Sequence, residues 1–280
     1  MTVGKRYVIT GGTDGIGAAL ARALARRGDH AVAIGTSREK GERLARETAD
    51  LPGSVTFLWA DLALMSETRR ALAALEAHPR VDGLVLCARY FRIRRVVTEE
   101  GLEHNFALFY LSRALIGEGL VDALAAGGDA VVVNVAGPGH PTPIAWDDLQ
   151  SARAYDGVRA MFQAGRLNDL LGVTFAERHG ARGIRYVLFH PDTTSTGFTG
   201  EYDAATAAHI ERQKALAKPA SAVVPPLLRL LDTPPDAALS AYHLSTQLPS
   251  DDKLFPRAAA GRLAGLTAEL LEKSGTAGSR

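Results

Sequence analysis

Short apolar runs alternate with longer amphipathic stretches along almost the whole chain, and that alternation restricts the fold more than any other feature. The runs are Arg6–Thr10, Ala31–Gly35, Ser54–Ala60, Asp82–Cys87, Ala130–Val135, Ile184–Phe189 and Ala238–His243. Most carry Val, Ile or Leu on consecutive positions, as strands covered on both faces do. The stretches Gly15–Arg27, Glu39–Thr48, Met65–Ala77, Gly101–Ala126 and Val158–Arg178 are each long enough to cross back over a sheet as a helix. The pattern predicts an α/β protein: a single-domain, doubly wound parallel sheet (Rossmann-like) of about seven strands with helices on both faces. The domain is expected over 1–273, closed by a helix over Phe255–Lys273, with 274–280 as a flexible tail. Residues 136–157 and 193–220 depart from the alternation. In such a sheet both lie beyond the carboxyl ends of the strands, where ligands bind, and the second is expected to form a substrate lid.

Composition excludes several classes. With 46% hydrophobic and 22% charged residues the chain is built to fold. Lys plus Arg is 32 against 31 Asp plus Glu, so net charge gives no reason to expect a nucleic-acid or anionic-membrane partner. A lone cysteine rules out an internal disulfide and a cysteine-based metal site, and the 8 histidines have no ligand spacing. No apolar run reaches the roughly 18 residues of a membrane span. The opening MTVGKRYVIT lacks the apolar core of a signal peptide, so a cytoplasmic protein is expected.

Thr10–Gly17 reads T-G-G-T-D-G-I-G, between the first strand and the first helix. Gly11 allows a sharp turn, Gly15 a close approach of backbone to ligand, and Gly17 tight helix–strand packing; the free N–H groups at the helix start attract a pyrophosphate. The second strand ends Gly35-Thr36-Ser37-Arg38, without the acid that takes the ribose hydroxyls of NAD. Ser37 and Arg38 favour NADP, although nearby Asp14 would repel a 2′-phosphate.

Further motifs extend this pattern. They are Asp61-Leu62, Gly101-Leu102-Glu103, Phe106-Ala107-Leu108, Val133-Asn134-Val135, Trp146-Asp147-Asp148-Leu149, His190-Pro191 through Thr196, Arg262-Leu263 and Glu269-Leu270-Leu271. With the glycine turn they make the chain resemble the short-chain dehydrogenase/reductase family, especially its retinol-dehydrogenase-like branch, over nearly its whole length. The resemblance implies that Gly11, Thr13, Asp14, Gly15, Ile16, Gly17, Ser37, Arg38, Asp61, Leu62, Cys87, Ala88, Pro191, Thr194 and Thr196 line a cofactor site. Asp192 stands where that family has a glycine.

The family works through Asn, Ser, Tyr and Lys, and the resemblance places these on Phe109, Gly137, Met161 and Gly165. Tyr155, Ala160, Gln163 and Asn168 still fit the surrounding pattern, while Leu86-Cys87-Ala88-Arg89 replaces Asn-Asn-Ala-Gly. A carbonyl that accepts hydride needs a proton, and losing a positioned acid costs about 10²–10⁴ in rate, roughly 3–5 kcal/mol. The replacements are apolar or minimal, which predicts a roomier centre for a bulky, largely apolar small molecule. Weak candidates for new chemistry are His140, Tyr155, Gln163 and Tyr90; for each, a surface or packing role is the plainer reading. Three readings stay open. The first is an atypical enzyme doing non-redox (cyclisation, isomerisation, elimination) or unconventional redox chemistry. The second is an NADP-dependent ketoreductase with a substitute acid such as Tyr155, paired with Arg159. The third is a non-catalytic cofactor- or ligand-binding protein. Loss of cofactor binding and a homodimer are also left open.

Overall fold

The computed structural model describes residues 4–195 and 200–276. The expected strands form as β1 (Arg6–Thr10), β2 (His30–Gly35), β3 (Ser54–Trp59), β4 (Gly83–Leu86), β5 (Val131–Val135), β6 (Arg185–His190) and β7 (Leu239–His243). An eighth, β8 (Thr246–Leu248), joins them, and the sheet order is β8-β7-β6-β5-β4-β1-β2-β3. Every pairing is parallel except β7 with β8. The eighth strand had no signal in the sequence: it spans three residues and is turned back by Leu244 at φ 52°.

Consecutive residues of β1 feed opposite faces. Val8 packs into one apolar cluster, Tyr7 and Ile9 into the other, which is why the run reads as unbroken apolar sequence. The Val8 face is covered by α3 (Met65–Leu75), α4 (Ser112–Gly119), α5 (Gly157–His179) and the closing helix Arg257–Thr276. The other face is covered by α1 (Gly15–Arg26), α2 (Arg38–Glu47) and the helix Val224–Asp232. The closing helix runs to Thr276, past the expected Lys273.

Strand order reverses at β1, with β2 on one side and β4 on the other, so a crevice opens beyond the carboxyl ends of these two neighbours. The helix expected over Gly101–Ala126 is instead segmented. A short turn at His104–Phe106 leads into a π-helical turn, Ala107–Leu111, before α4. Such widened turns recur at functional sites, and this one holds Phe109.

His104, at the head of that segment, is buried and its Nδ1 has no partner. Burial, reinforced by Arg92, lowers its pKa to about 4. A histidine that stays neutral when folded but protonates when unfolded contributes stability above its unfolded pKa of about 6.5. That contribution is lost as pH falls toward the folded value. Urea midpoints measured from pH 7 to pH 4 should therefore fall in the native protein, and His104→Leu should lose about 3 kcal/mol less over that window.

Candidate functional site at the β1–β4 crevice

The glycine turn has the geometry its residue types demand. Gly11 (φ +64°) and Gly15 (φ +50°) adopt left-handed backbone. A Cβ on Gly11 would lie 2.8 Å from the Ala88 nitrogen, and one on Gly17 would lie 2.3 Å from the Gly11 carbonyl oxygen. These glycines let β1, α1 and the end of β4 approach one another. The Asp14 carboxylate caps α1 by accepting from Gly15 N–H at 2.7 Å. The N–H groups of Ile16 and Gly17 in the first turn have no intrahelical acceptor, an arrangement suited to a diphosphate. Thr13 packs so close to Gly35 that a Cβ there would lie 2.5 Å from Thr13 Oγ1.

At the end of β2, Ser37 Oγ caps α2 by accepting from Lys40 N–H at 3.3 Å. The Arg38 guanidinium stacks 5.0 Å from the Trp59 ring centroid, and Arg70 lies 5.4 Å from the same ring. Lys40 Nζ binds Asp14 Oδ2 at 2.5 Å. Burial opposes ionisation of Asp14, but the Lys40 and Gly15 hydrogen bonds and the positive charge outweigh it and hold the carboxyl below its ordinary range. The expected repulsion between Asp14 and a phosphate is thus offset. Lys40 has no local sequence signal, since its approach to Asp14 needs α2 beside α1. Asp61 Oδ1 accepts from Ala63 N–H at 3.0 Å beside buried Leu62. Ala88 N–H donates to Thr10 Oγ1 at 3.2 Å, and burial pushes the Cys87 thiol up to about 12.

On the far side of the crevice, Asp192 adopts φ +61°, which explains the glycine usual at its position. Its carboxylate accepts from Thr193 N–H and from Lys218 Nζ at 3.0 Å. Thr194 Oγ1 donates to the Pro191 carbonyl at 2.7 Å. Thr196 lies outside the described residues. Together the glycine cradle and the open helix N-terminus suit a dinucleotide, with Arg38 beside them at the end of β2.

Beneath the expected catalytic positions lies a buried polar network. Arg113 donates to Asn134 Oδ1, to the Val135 carbonyl at 3.0 Å and to the Ala88 carbonyl at 2.9 Å. Asn134 Nδ2 donates to Asn168 Oδ1 and to the Tyr186 hydroxyl. Asn168 Nδ2 reaches the Phe109 carbonyl at 2.7 Å, giving it a partner where the helix widens. Arg113 has no carboxylate partner among the described residues, and burial lowers its pKa to about 10.

Phe109 forms the lid of this network, its ring 4.4 Å from the Arg113 guanidinium carbon and 5.9 Å from that of Arg89. The Arg89 guanidinium also touches Met161 Sδ. The centre is only partly the roomy cavity expected. A Cβ on Gly137 would meet His190 Cδ2 at 3.4 Å, while one on Gly165 would meet only ordinary contacts, the Ala136 carbonyl at 3.8 Å and Phe109 at 4.0 Å.

The weak candidates scatter. Tyr155 OH donates to the Arg92 carbonyl at 3.0 Å, accepts from Asn105 Nδ2 and adjoins Glu103. Burial and the Glu103 charge raise its pKa, the wrong direction for an activated phenol, and Arg159 is not among its partners. Gln163 is buried and clamps the loop, accepting from Ala145 N–H and donating to the Leu149 carbonyl. His140 is exposed, stacked 4.5 Å from Phe162 and bonded to Thr142. Tyr90 lies at the end of β4 under Arg92. A phenol absent from the expectations, Tyr202, stacks 5.2 Å from Phe91 and feels the Arg89 charge. Only the pairing of Gly200–Glu201 with Phe91–Arg92 brings it there. Among the described residues no group of His, Cys, Asp and Glu could hold a metal, and no helix is long and apolar enough to cross a membrane.

Comparison with known proteins agrees with this geometry. Residues 5–138 match the family model for short chain dehydrogenases. Human polyprenol dehydrogenase is 32% identical over 165 residues, covering 56% of this chain and 50% of that protein. Human retinol dehydrogenase 13 is 29% identical over 198 residues, 69% of this chain and 60% of that one. The chain thus spans about half to three fifths of the length of these relatives. The L-sorbose reductase of Gluconobacter frateurii, solved with NADPH and L-sorbose, shares the fold. Its TM-score is 0.66 at 17% identity, covering 88% of this chain and 98% of that one. Residues 5–138 thus resemble the short chain dehydrogenases, and the chain as a whole shares the fold of the L-sorbose reductase.

Arg113→Met should strand the Asn134 carbonyl oxygen and two backbone carbonyls in the interior. The expected loss is about 3 kcal/mol in urea unfolding, since hydrogen bonds to a buried charged group are each worth roughly 1.5–3 kcal/mol.

Proposed function

We propose that the protein is an NADP(H)-linked oxidoreductase of a small molecule that works without the family's phenol–ammonium pair, on the margin of the retinol-dehydrogenase-like branch. The observation that carries the reading is the charge at the end of β2. No acid ends the strand, Arg38 has no carboxylate partner among the described residues, and Lys40 neutralises Asp14. Arg38 and Lys40 hold the 2′-phosphate, the Ile16 and Gly17 N–H groups the diphosphate, and Asp61 with Leu62 the adenine. When bound, the nicotinamide supplies hydride transfer.

At the reacting end the chain offers a different surface from the family's. Met161 and Phe109 exclude water from one wall, and Arg89 brings a positive charge to the place where the resemblance puts the tyrosine. The phenols near that charge are Tyr90 and Tyr202, and a proton reaches the product from one of them or from solvent. Tyr155 is the poorer acid, being tied to Arg92, Asn105 and Glu103. A second reading, non-redox chemistry on a bulky apolar molecule, is favoured by that same engagement of Tyr155.

Fluorescence titration of NADPH and NADH tests the reading directly. NADPH should bind the more tightly, and Arg38→Ala with Lys40→Ala should weaken NADPH about tenfold to a hundredfold while leaving NADH nearly unchanged. Absence of NADPH binding at millimolar concentration would remove the reading. Since a side chain at position 165 meets only ordinary contacts, Met161→Tyr combined with Gly165→Lys should raise carbonyl reduction, followed at 340 nm, by about a hundredfold or more.

A further inference from the structure

The charge at the reacting end is unbalanced in a way the proposed hydride chemistry does not use. Arg89 and Arg113 flank one phenylalanine ring, Phe109. Arg113 is consumed by the polar network below, while Arg89 is exposed and touches Met161 Sδ and the ring. It nevertheless lies deep: the surrounding protein pulls the guanidinium down from its ordinary value, with Tyr202 acting the other way. Exposure with protein on most sides is the situation of a group on the floor of an open cleft.

No carboxylate among the described residues acts on the Arg89 charge, and three on other segments are paired elsewhere. Glu201 pairs with Arg92 at 2.5 Å, Asp192 with Lys218 at 3.0 Å, and Asp169 with Arg166 at 3.0 Å. Arg89 has no ion pair among the described residues. Two guanidinium groups facing one ring repel each other, and no carboxylate among the described residues pairs with either.

We propose that Arg89 is the anchor for a carboxylate on the substrate, so that this centre takes an apolar molecule bearing a carboxylate, laid against Phe109 and Met161. The inference rests on the oxidoreductase reading for its place in the cleft and adds the class of substrate to it. A planar guanidinium stacked on a ring presents its N–H edge, and a carboxylate matches that edge with two parallel hydrogen bonds. The cofactor's phosphates have their own site at the N-terminus of α1 and at Arg38 and Lys40. Neutral carbonyl substrates gain nothing from Arg89, which separates this centre from one built on a phenol.

The test is calorimetric titration of the full chain, with and without saturating NADP. The probes are naphthalene-2-carboxylate, 2-naphthalenemethanol and 2-naphthyl phosphate. The carboxylate should bind at least about tenfold more tightly than the alcohol and more tightly than the phosphate. Arg89→Met should abolish that preference without weakening the alcohol, and Arg89→Lys should keep part of it. NADPH affinity should be the same in Arg89→Met as in the native protein. Equal binding of carboxylate and alcohol, or a preference that survives Arg89→Met, overturns the inference. Stronger binding of the phosphate, or loss of NADPH affinity in Arg89→Met, assigns Arg89 to a phosphate instead and also overturns it. The titration without NADP decides the point even where NADPH fails to bind, so failure of the cofactor reading and failure of this one are told apart.

Discussion

The buried Arg113 guanidinium holds the reacting half of the molecule together. From the start of α4 it reaches the carbonyl at the end of β4, the carbonyl at the end of β5 and the side chain of Asn134. Asn134 passes the connection to α5 and β6 through Asn168 and Tyr186. A cation so placed is stable only because every nearby acceptor points at it, since unpaired charge in a low-dielectric interior is costly. Its Nε is the exception, buried without a partner. Through Asn134 and Asn168 the same network reaches the Phe109 carbonyl in the widened turn at Ala107–Leu111, and the Phe109 ring lies over the guanidinium.

Above that floor, Arg89, Met161 and Phe109 present a charged and apolar surface. The family's phenol and ammonium would form a path for a proton; methionine, phenylalanine and two glycines cannot. Gly165 leaves space at ordinary contact distance, Gly137 is bordered by His190, and Arg89 enters from the end of β4. The turn geometry at Gly11 and Gly15 is strict, and Lys40 compensates the acidic Asp14 that the turn uses as its helix cap.

The fold was legible because it is written in local patterns. Apolar runs such as Val131–Val133 and amphipathic stretches such as Gly15–Arg26 carry their period in neighbouring residues. The glycine turn was legible for a similar reason: its demands fall on eight consecutive positions. The break in the helix before α4 was not, since it depends on Asn168, 59 residues away from the carbonyl it takes at Phe109. Gln163 and Tyr155 matched a motif and yet serve as clamps, because a motif match reports position on the chain and not the acceptors around a side chain. Tyr202 and Lys40 escaped notice because each reaches its place through a contact between distant segments.

By itself, the sequence determined the class of fold and the glycine turn between β1 and α1. Both depend on residue type and spacing along the chain. Tertiary structure alone decided where Arg89 and Arg113 lie, that they share one ring, and that no carboxylate among the described residues answers the first of them. Charge balance in a cleft is a sum over groups brought together from many parts of the chain, and no local pattern records that sum.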